Sequence, residues 1–388
     1  MKRKVKIILL SILVLSVPHC TRDETGLYHY RTPETASDGW VVAKAGDTGL
    51  NQGMLSDMMN YIIDTEDHNI HNILIFKDNK LVFEEYFEGY LYSSNPPGSN
   101  GEYIQYDRET DHYLASVSKT VTSAIFGVAV KLGYITDIHE KVVDIFPEYT
   151  DILTGEKADI DIEHLLTMTP GLSWDENTYP YTDPRNDVTA LFNTDDPLRH
   201  ILNNALLSTP GTEFLYNSGA TNVLGAIIEE KTGMSLLDFG NEHFFEPLNV
   251  SGGLWQKMGG DLFFASGGVF LRPRELAKIG YVYLNEGYWG NQQVITSDWI
   301  DDSVAPHIAT HGRTLPPATH YGYQWWLKDF SASGTVYHCF LAAGWGDQYM
   351  FVFPDIDMIV LFNGGNYFSA GSINQFGVVE DYILAALE

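Results

Sequence analysis

Cysteine is nearly absent from this chain, which holds only Cys20 and Cys339. With the first of them in an N-terminal leader, no disulfide framework is expected to staple the fold. Basic residues are scarce as well: 23 Lys and Arg face 51 Asp and Glu, a formal net charge of −28. Nucleic acid and anionic lipid are gripped by Lys/Arg surfaces, so this balance argues against a polyanionic partner and for a solvated, soluble surface. There is no G-x-S-x-G pentapeptide, which removes the nucleophile elbow of the α/β-hydrolases. There is no H-E-x-x-H either, and the best grouping of metal-type ligands, His307, His311 and His320, is interrupted by Pro306, Gly312, Pro316 and Pro317. Such a segment reads as loop rather than as a helix presenting two imidazoles, so neither a metal nor any other cofactor is expected. Internal repeats and low-complexity tracts are also missing.

What is present is a core. A hydrophobic fraction of 44%, with 23 Tyr, 20 Phe and 8 Trp, places the body of the chain well away from disorder. The first 20 residues are a different kind of text: Met1-Lys2-Arg3-Lys4-Val5-Lys6 is basic, residues 7–17 are apolar, and Cys20 follows. The apolar run is too short for a stable transmembrane helix and reads as a signal peptide. Val17-Pro18-His19-Cys20 resembles a loose lipobox, although Pro18 and His19 depart from its usual small residues. The expectation is an exported bacterial protein, either free in the periplasm or held to a membrane through a lipidated Cys20.

Residues 21–50 carry Thr, Asp, Gly and Glu without a period and read as a tether, leaving 51–388 as the catalytic domain. Met54, Leu55, Met58, Met59 and Ile62 fall at helical spacing, and two apolar runs then flank Asp78-Asn79-Lys80, predicting a helix followed by a hairpin. Residues 91–107 read as a loop. A buried helix is predicted over 117–132, a helical lobe over about 133–250 with turns at Thr169-Pro170-Gly171 and Thr209-Pro210-Gly211, and a helix near 274–285. Strands are predicted at 323–327, 335–341, 348–353 and 358–362, with a last helix over 374–387. The fold class is therefore α/β of the α+β type: a sheet built by the two ends of the chain, flanked by helices, and a helical lobe between them.

Ser116-Val117-Ser118-Lys119 opens the buried helix, and a three-residue spacing puts both side chains on one helical face. A serine hydroxyl is a poor nucleophile until a base takes its proton, and a lysine whose pKa is lowered by burial can serve. Lys119 is the one charge between Val117 and Val130, an almost wholly apolar stretch where an unpaired ammonium would be costly. That cost marks it as a functional candidate.

Further stretches share the order of a known family: His164-Leu-Leu-Thr-Met-Thr-Pro-Gly-Leu172, Pro210-Gly211, Tyr216-Asn217-Ser218, Asn222-Val-Leu-Gly225, Glu246-Pro-Leu-Asn249, the run from Ser266-Gly-Gly to Ala277, and Tyr321-Gly-Tyr-Gln-Trp-Trp326. Over roughly residues 50–388 the chain resembles the serine β-lactamase and penicillin-recognising family, in its class C branch with its esterases and nylon-oligomer (6-aminohexanoate-dimer) hydrolases. The resemblance implies a β-lactamase/transpeptidase-like fold, a small-molecule ester, amide or peptide substrate, and acyl transfer from a Ser116 acyl-enzyme. It puts Tyr216 at the tyrosine of the Y-x-N motif, as a proton shuttle between Ser116, Lys119 and the leaving group. The third motif position is Ser218 rather than Asn, a variant that leans toward the esterase side. Where the family carries K-T-G, this chain has Gly344-Trp345-Gly346, and similarity to the nylon-oligomer hydrolases implies an oxyanion hole from the amides of Ser116 and Trp345. The missing lysine removes the usual cation for a substrate carboxylate, which weakens the D-Ala-D-Ala carboxypeptidase and β-lactamase alternatives. A non-catalytic, penicillin-binding-like sensor on the same fold is the non-enzyme alternative. Trp174, Tyr181, Asp183 and Trp326 fall where the family places substrate-facing residues.

Overall fold

The computed structural model describes residues 22–387 apart from 96, 252, 312–315, 369 and 370. The basic and apolar leader and Cys20 lie outside the described residues. Among these, no helix is long and apolar enough to cross a membrane.

Nine strands form one sheet in the order Val41–Val42, Lys80–Tyr86, Ile70–Lys77, Met358–Gly364, Gln348–Phe353, Thr335–Gly344, Trp326–Ala332, His320–Tyr321, Ile308–Ala309. Every pairing is antiparallel except that of Val41–Val42 with Lys80–Leu81. Residues from both ends of the chain thus meet at the centre, where Ile75 pairs with Val360. The strands there carry unbroken apolar runs, Ile73–Phe76 and Met358–Phe362, because both faces are covered. One face takes Tyr349 and Phe351, whose rings meet Phe376 near the C-terminal helical run. That run, Gln375–Val378 continued by Val379–Ile383 and Leu384–Ala386, lies beside the Gln52–Asp64 helix, with Tyr61 stacked on Tyr382 at 5.6 Å. On the other face the Pro273–Leu284 helix comes so close that a methyl group on Gly280 would lie 3.1 Å from Met350 Sδ and 3.2 Å from Ile359 Cδ1.

The Val117–Lys131 helix runs between this sheet and the helical lobe, and every residue from Val117 to Ala129 is buried. Its hydroxyls need partners there. Thr120 donates to the carbonyl of Gln324 at 2.9 Å, Thr122 to that of Ala265 at 2.8 Å and Ser123 to that of Tyr323 at 2.7 Å. These bonds fix the helix against two segments from distant parts of the chain. The lobe is helical but broken: Val142–Ile145, Ile162–Leu166, Asp187–Leu191 and Pro197–Leu202 are short, and only Ser218–Thr232 is long.

Three sequence expectations give way. Residues 22–50 are not a tether, because aromatic anchors without periodicity hold them to the body. Tyr28 and Trp40 are buried, the Tyr28 hydroxyl bonds Glu85 at 2.7 Å, and the Trp40 indole N–H bonds the Arg274 carbonyl at 2.9 Å. The loop expected at 91–107 is mostly a hairpin of Glu88–Ser94 and Pro97–Gln105. Its Ser, Asn and Gly content hid a cross-strand pair, Tyr90 opposite Tyr103. The strand expected at 323–327 begins only at Trp326, because Gln324 takes φ 66° and turns inward, its amide bonding the carbonyls of Leu165 and Leu166.

Candidate active site

Ser116 stands immediately before the Val117–Lys131 helix, after the short His112–Tyr113 strand. The turn between them is made by Ala115 at φ 46°, a left-handed conformation that costs a residue with a Cβ of order 1–3 kcal/mol. The Ser116 hydroxyl does not cap its own helix. Instead it receives a hydrogen bond from Lys119 Nζ at 2.9 Å, and the same Nζ donates to the Ser266 carbonyl at 3.0 Å. Lys119 is 1% exposed. Burial pulls its pKa down to about 8, with the carboxylate of Glu176 working in the opposite direction. At neutral pH a usable fraction of the amine is therefore free base.

The Tyr216 ring lies 4.7 Å from Lys119 Nζ and stacks on Trp326 at 5.3 Å. Burial, and after it the Glu176 charge, holds the phenol well above its usual pKa, while its contact with Ser116 works the other way. Asn217 caps the Ser218–Thr232 helix by accepting from the Ala220 N–H, which fixes Tyr216 one residue outside the helix. The segment behind Ser116 is locked similarly: Ser266 N–H donates to Asn222 at 3.0 Å and Val269 N–H to Ser118 at 3.1 Å.

A cleft of about 440 Å³ opens in front of Ser116, with Tyr113, Tyr181, Ser218, Ser266 and Trp345 on its walls. Phe192, Phe264 and Tyr92 add aromatic surface, and the lining includes one cation, Lys257, which bonds Asp261 at 3.0 Å. Gly344 ends the Thr335–Gly344 strand against the serine turn: a Cβ there would lie 2.5 Å from the Leu114 carbonyl and 3.1 Å from the Ser116 nitrogen. Gly346 takes φ 84° with the Tyr367 ring where a side chain would go, 2.4 Å from an added Cβ. Both glycines thus bring the Trp345 backbone up to the cleft.

Ser116, Lys119, Tyr216, Ser218, Tyr181 and Trp345 are accordingly gathered at one place, and Tyr181 packs on Trp345 at 4.8 Å. Three other expected lining residues are elsewhere. Trp174 is buried behind the cleft with its indole N–H on Glu176 at 2.5 Å, Trp326 is buried behind Tyr216, and Asp183 is turned away into an ion pair with Arg185 at 2.6 Å. Large aromatics beside a site are drawn into packing, and a loop aspartate finds its nearest arginine. Among the described residues no group of three His, Cys, Asp or Glu is arranged to hold a metal ion, and His307 is stacked on Tyr323 at 4.3 Å. Cys339 is buried and free.

The sequence reading missed Glu176. Its carboxylate is 4% exposed, and Oε2 accepts both the Trp174 indole N–H and the Ser218 backbone N–H, the latter at 3.0 Å. An acid in a loop rich in Asp, Asn and Tyr carries no sequence signal of burial.

Residues 71–366, more than half of the chain, match the family model described as beta-lactamase. The chain belongs to the beta-lactamase family. This is a family of serine hydrolases with small-molecule substrates. Among curated relatives, the 6-aminohexanoate-dimer hydrolase of Paenarthrobacter ureafaciens is 28% identical over 242 residues, 55% of this chain and 57% of that protein. The chain thus spans a little over half the length of that curated relative. Beta-lactamase folds among solved structures include a penicillin-binding protein homologue from Caulobacter crescentus, with a TM-score of 0.66 at 15% identity, covering 86% of this chain and 97% of the other. A family VIII carboxylesterase has a TM-score of 0.64 at 15% identity, covering 86% and 96%. At such identities these neighbours speak for the beta-lactamase fold alone.

Proposed function

We propose that this chain hydrolyses ester or amide bonds through an acyl-enzyme on Ser116. The observation that carries the reading is a lysine buried to 1% exposure whose amine sits 2.9 Å from a serine hydroxyl beside an aromatic cleft. Ser116 Oγ attacks the substrate carbonyl, its proton passes to Lys119, and the carbonyl oxygen collects negative charge facing the amides of Ser116 and Trp345. The proton then returns through Tyr216 to the leaving oxygen or nitrogen as that bond breaks. A water repeats the sequence on the acyl-enzyme and releases the acid. A cleft whose cation, Lys257, is already bonded to Asp261 favours substrates without a carboxylate handle over D-alanyl peptides and penicillins.

A panel of p-nitrophenyl esters, anilides, a chromogenic cephalosporin and a D-Ala-D-Ala peptide tests this. Neutral esters or amides should turn over fastest. Because the base is Lys119 in its free form, kcat/KM should rise with pH and level off above about 8, falling about tenfold per unit below that. Absence of turnover on every member of the panel would defeat the proposal.

The oxyanion assignment has its own test in Gly344→Ala. The added methyl would lie 2.5 Å from the Leu114 carbonyl and must push the Trp345 backbone away from Ser116. kcat should fall toward the roughly 10²-fold loss typical of removing one oxyanion donor, with KM little changed. A wild-type kcat in this variant would remove Trp345 from the role.

A further inference from the structure

Glu176 is the unusual group of this site. Buried carboxylates ordinarily carry a partner of opposite charge. Among the described residues Glu176 makes no ion pair, and its Oε2 is held by two neutral donors, the Trp174 indole and the Ser218 amide. Both holds aim the carboxylate at the start of the Ser218–Thr232 helix, two residues from Tyr216, whose ring covers Lys119 Nζ. Among the described residues its charge acts on the ammonium of Lys119, raising a pKa that burial lowers. Tyr181, Tyr216 and Tyr321 are phenols that the same charge helps to keep neutral. Among the described residues, Lys119 in turn hydrogen-bonds only neutral groups, Ser116 Oγ and the Ser266 carbonyl.

We propose that Glu176 is the buried counter-ion of Lys119, a positioning residue against whose negative charge the ammonium forms when Ser116 gives up its proton. The inference rests on the reading of Ser116 as nucleophile. It divides the labour between the two proton carriers. As the Oγ–C bond forms and the carbonyl π pair moves to oxygen, the Ser116 proton goes to Lys119, because a negative neighbour favours an ammonium and disfavours a phenolate. Tyr216 stays a neutral phenol that passes the proton on to the departing atom. With Lys119 charged, the buried pair is neutral overall. With Lys119 neutral, the site carries one negative charge, which favours proton transfer onto Lys119 and repels developing phenolate.

Glu176→Gln separates charge from structure, since a Gln oxygen at the Oε2 position can accept both N–H groups that Glu176 now accepts. The readout is the pH dependence of Ser116 phosphonylation by an alkyl fluorophosphonate, followed by intact mass, alongside kcat/KM for a neutral ester. In wild type both should rise through about pH 8. In Glu176→Gln the limb should move down by about one unit or more, and the plateau at pH 9 should drop roughly tenfold or more, so that the two profiles converge at low pH. Glu176→Asp, which keeps the charge, should hold the limb near its wild-type position even where its shorter reach costs stability. A limb left in place by Glu176→Gln, or one moved equally by Glu176→Asp, overturns the counter-ion role alone. A wild-type Ser116 that is inert to the phosphonate at every pH overturns this inference and the hydrolase proposal together.

Discussion

Ser116→Ala is expected to lower kcat for every ester and amide substrate by at least about 10⁴-fold, the scale on which nucleophile removal acts in serine hydrolases. The same change should leave the fold as stable as the parent. The hydroxyl caps no backbone N–H of its helix, and its one short hydrogen bond comes from Lys119, which keeps the Ser266 carbonyl as a second acceptor. Alanine is also the best helix former, and the position already has helical dihedrals, φ −67° and ψ −8°. The expected pair of results is therefore a lost rate with a melting temperature within a few degrees of wild type. Intact-mass spectrometry after a slow ester should show an acyl adduct on wild type and none on the variant. Residual turnover above about a tenth of wild type would mean that another residue attacks the carbonyl. Equal loss of rate and of folded protein would mean that Ser116 is structural.

The sequence carried most of what defines the sheet, because strands covered on both faces are built on apolar runs, and residues 349–353 and 358–362 are such runs. It also carried the buried serine helix, since a lone lysine in an apolar run is legible wherever the run is long enough to be helical. Elements held by single anchors escaped. Residues 22–50 have no period, and scattered contacts such as buried Tyr28 and Trp40, the Tyr30 hydroxyl on the Val82 carbonyl and the short Val41–Val42 strand tie them down. The tyrosines of the Glu88–Gln105 hairpin lie in text whose turn-forming residues outweigh them. At the site, ordered short motifs brought Ser116, Lys119, Tyr216, Ser218 and Trp345 into view because each sits on a tight turn or helix start that limits the residue types. Glu176 had no such frame: its burial depends on an indole and an amide that approach only in the folded state. Trp174, Trp326 and Asp183 were misjudged for the complementary reason that nearness to a motif does not say which way a side chain faces.

Lys119→Met is the second large effect, and it ties rate to stability. Removing the base should cut kcat/KM for a neutral ester by roughly 10²–10⁴-fold and abolish the limb near pH 8, leaving a flat profile. Stability should respond to pH in the wild type but not through this position in the variant. Burial lowers the Lys119 pKa from 10.5 to about 8. Between those two values the unfolded chain binds the proton and the folded chain does not, so the contribution of Lys119 to folding improves as pH rises from 8 to 10.5 and is least favourable below 8. The full span corresponds to about 3 kcal/mol at ~1.4 kcal/mol per unit. Methionine fills nearly the same volume without an amine to dehydrate, although it leaves the Ser266 carbonyl without its donor, a loss of about 1–3 kcal/mol. The variant should then melt at or above the wild-type temperature at pH 7 and lose that advantage by pH 10, as followed by circular dichroism. A protein that keeps a costly amine in its core for the sake of a proton acceptor is expected to trade in this direction. A variant that keeps the wild-type rate would show that Lys119 is not the base, and one whose stability relative to wild type is the same at pH 7 and 10 would show that its amine is not strained by burial.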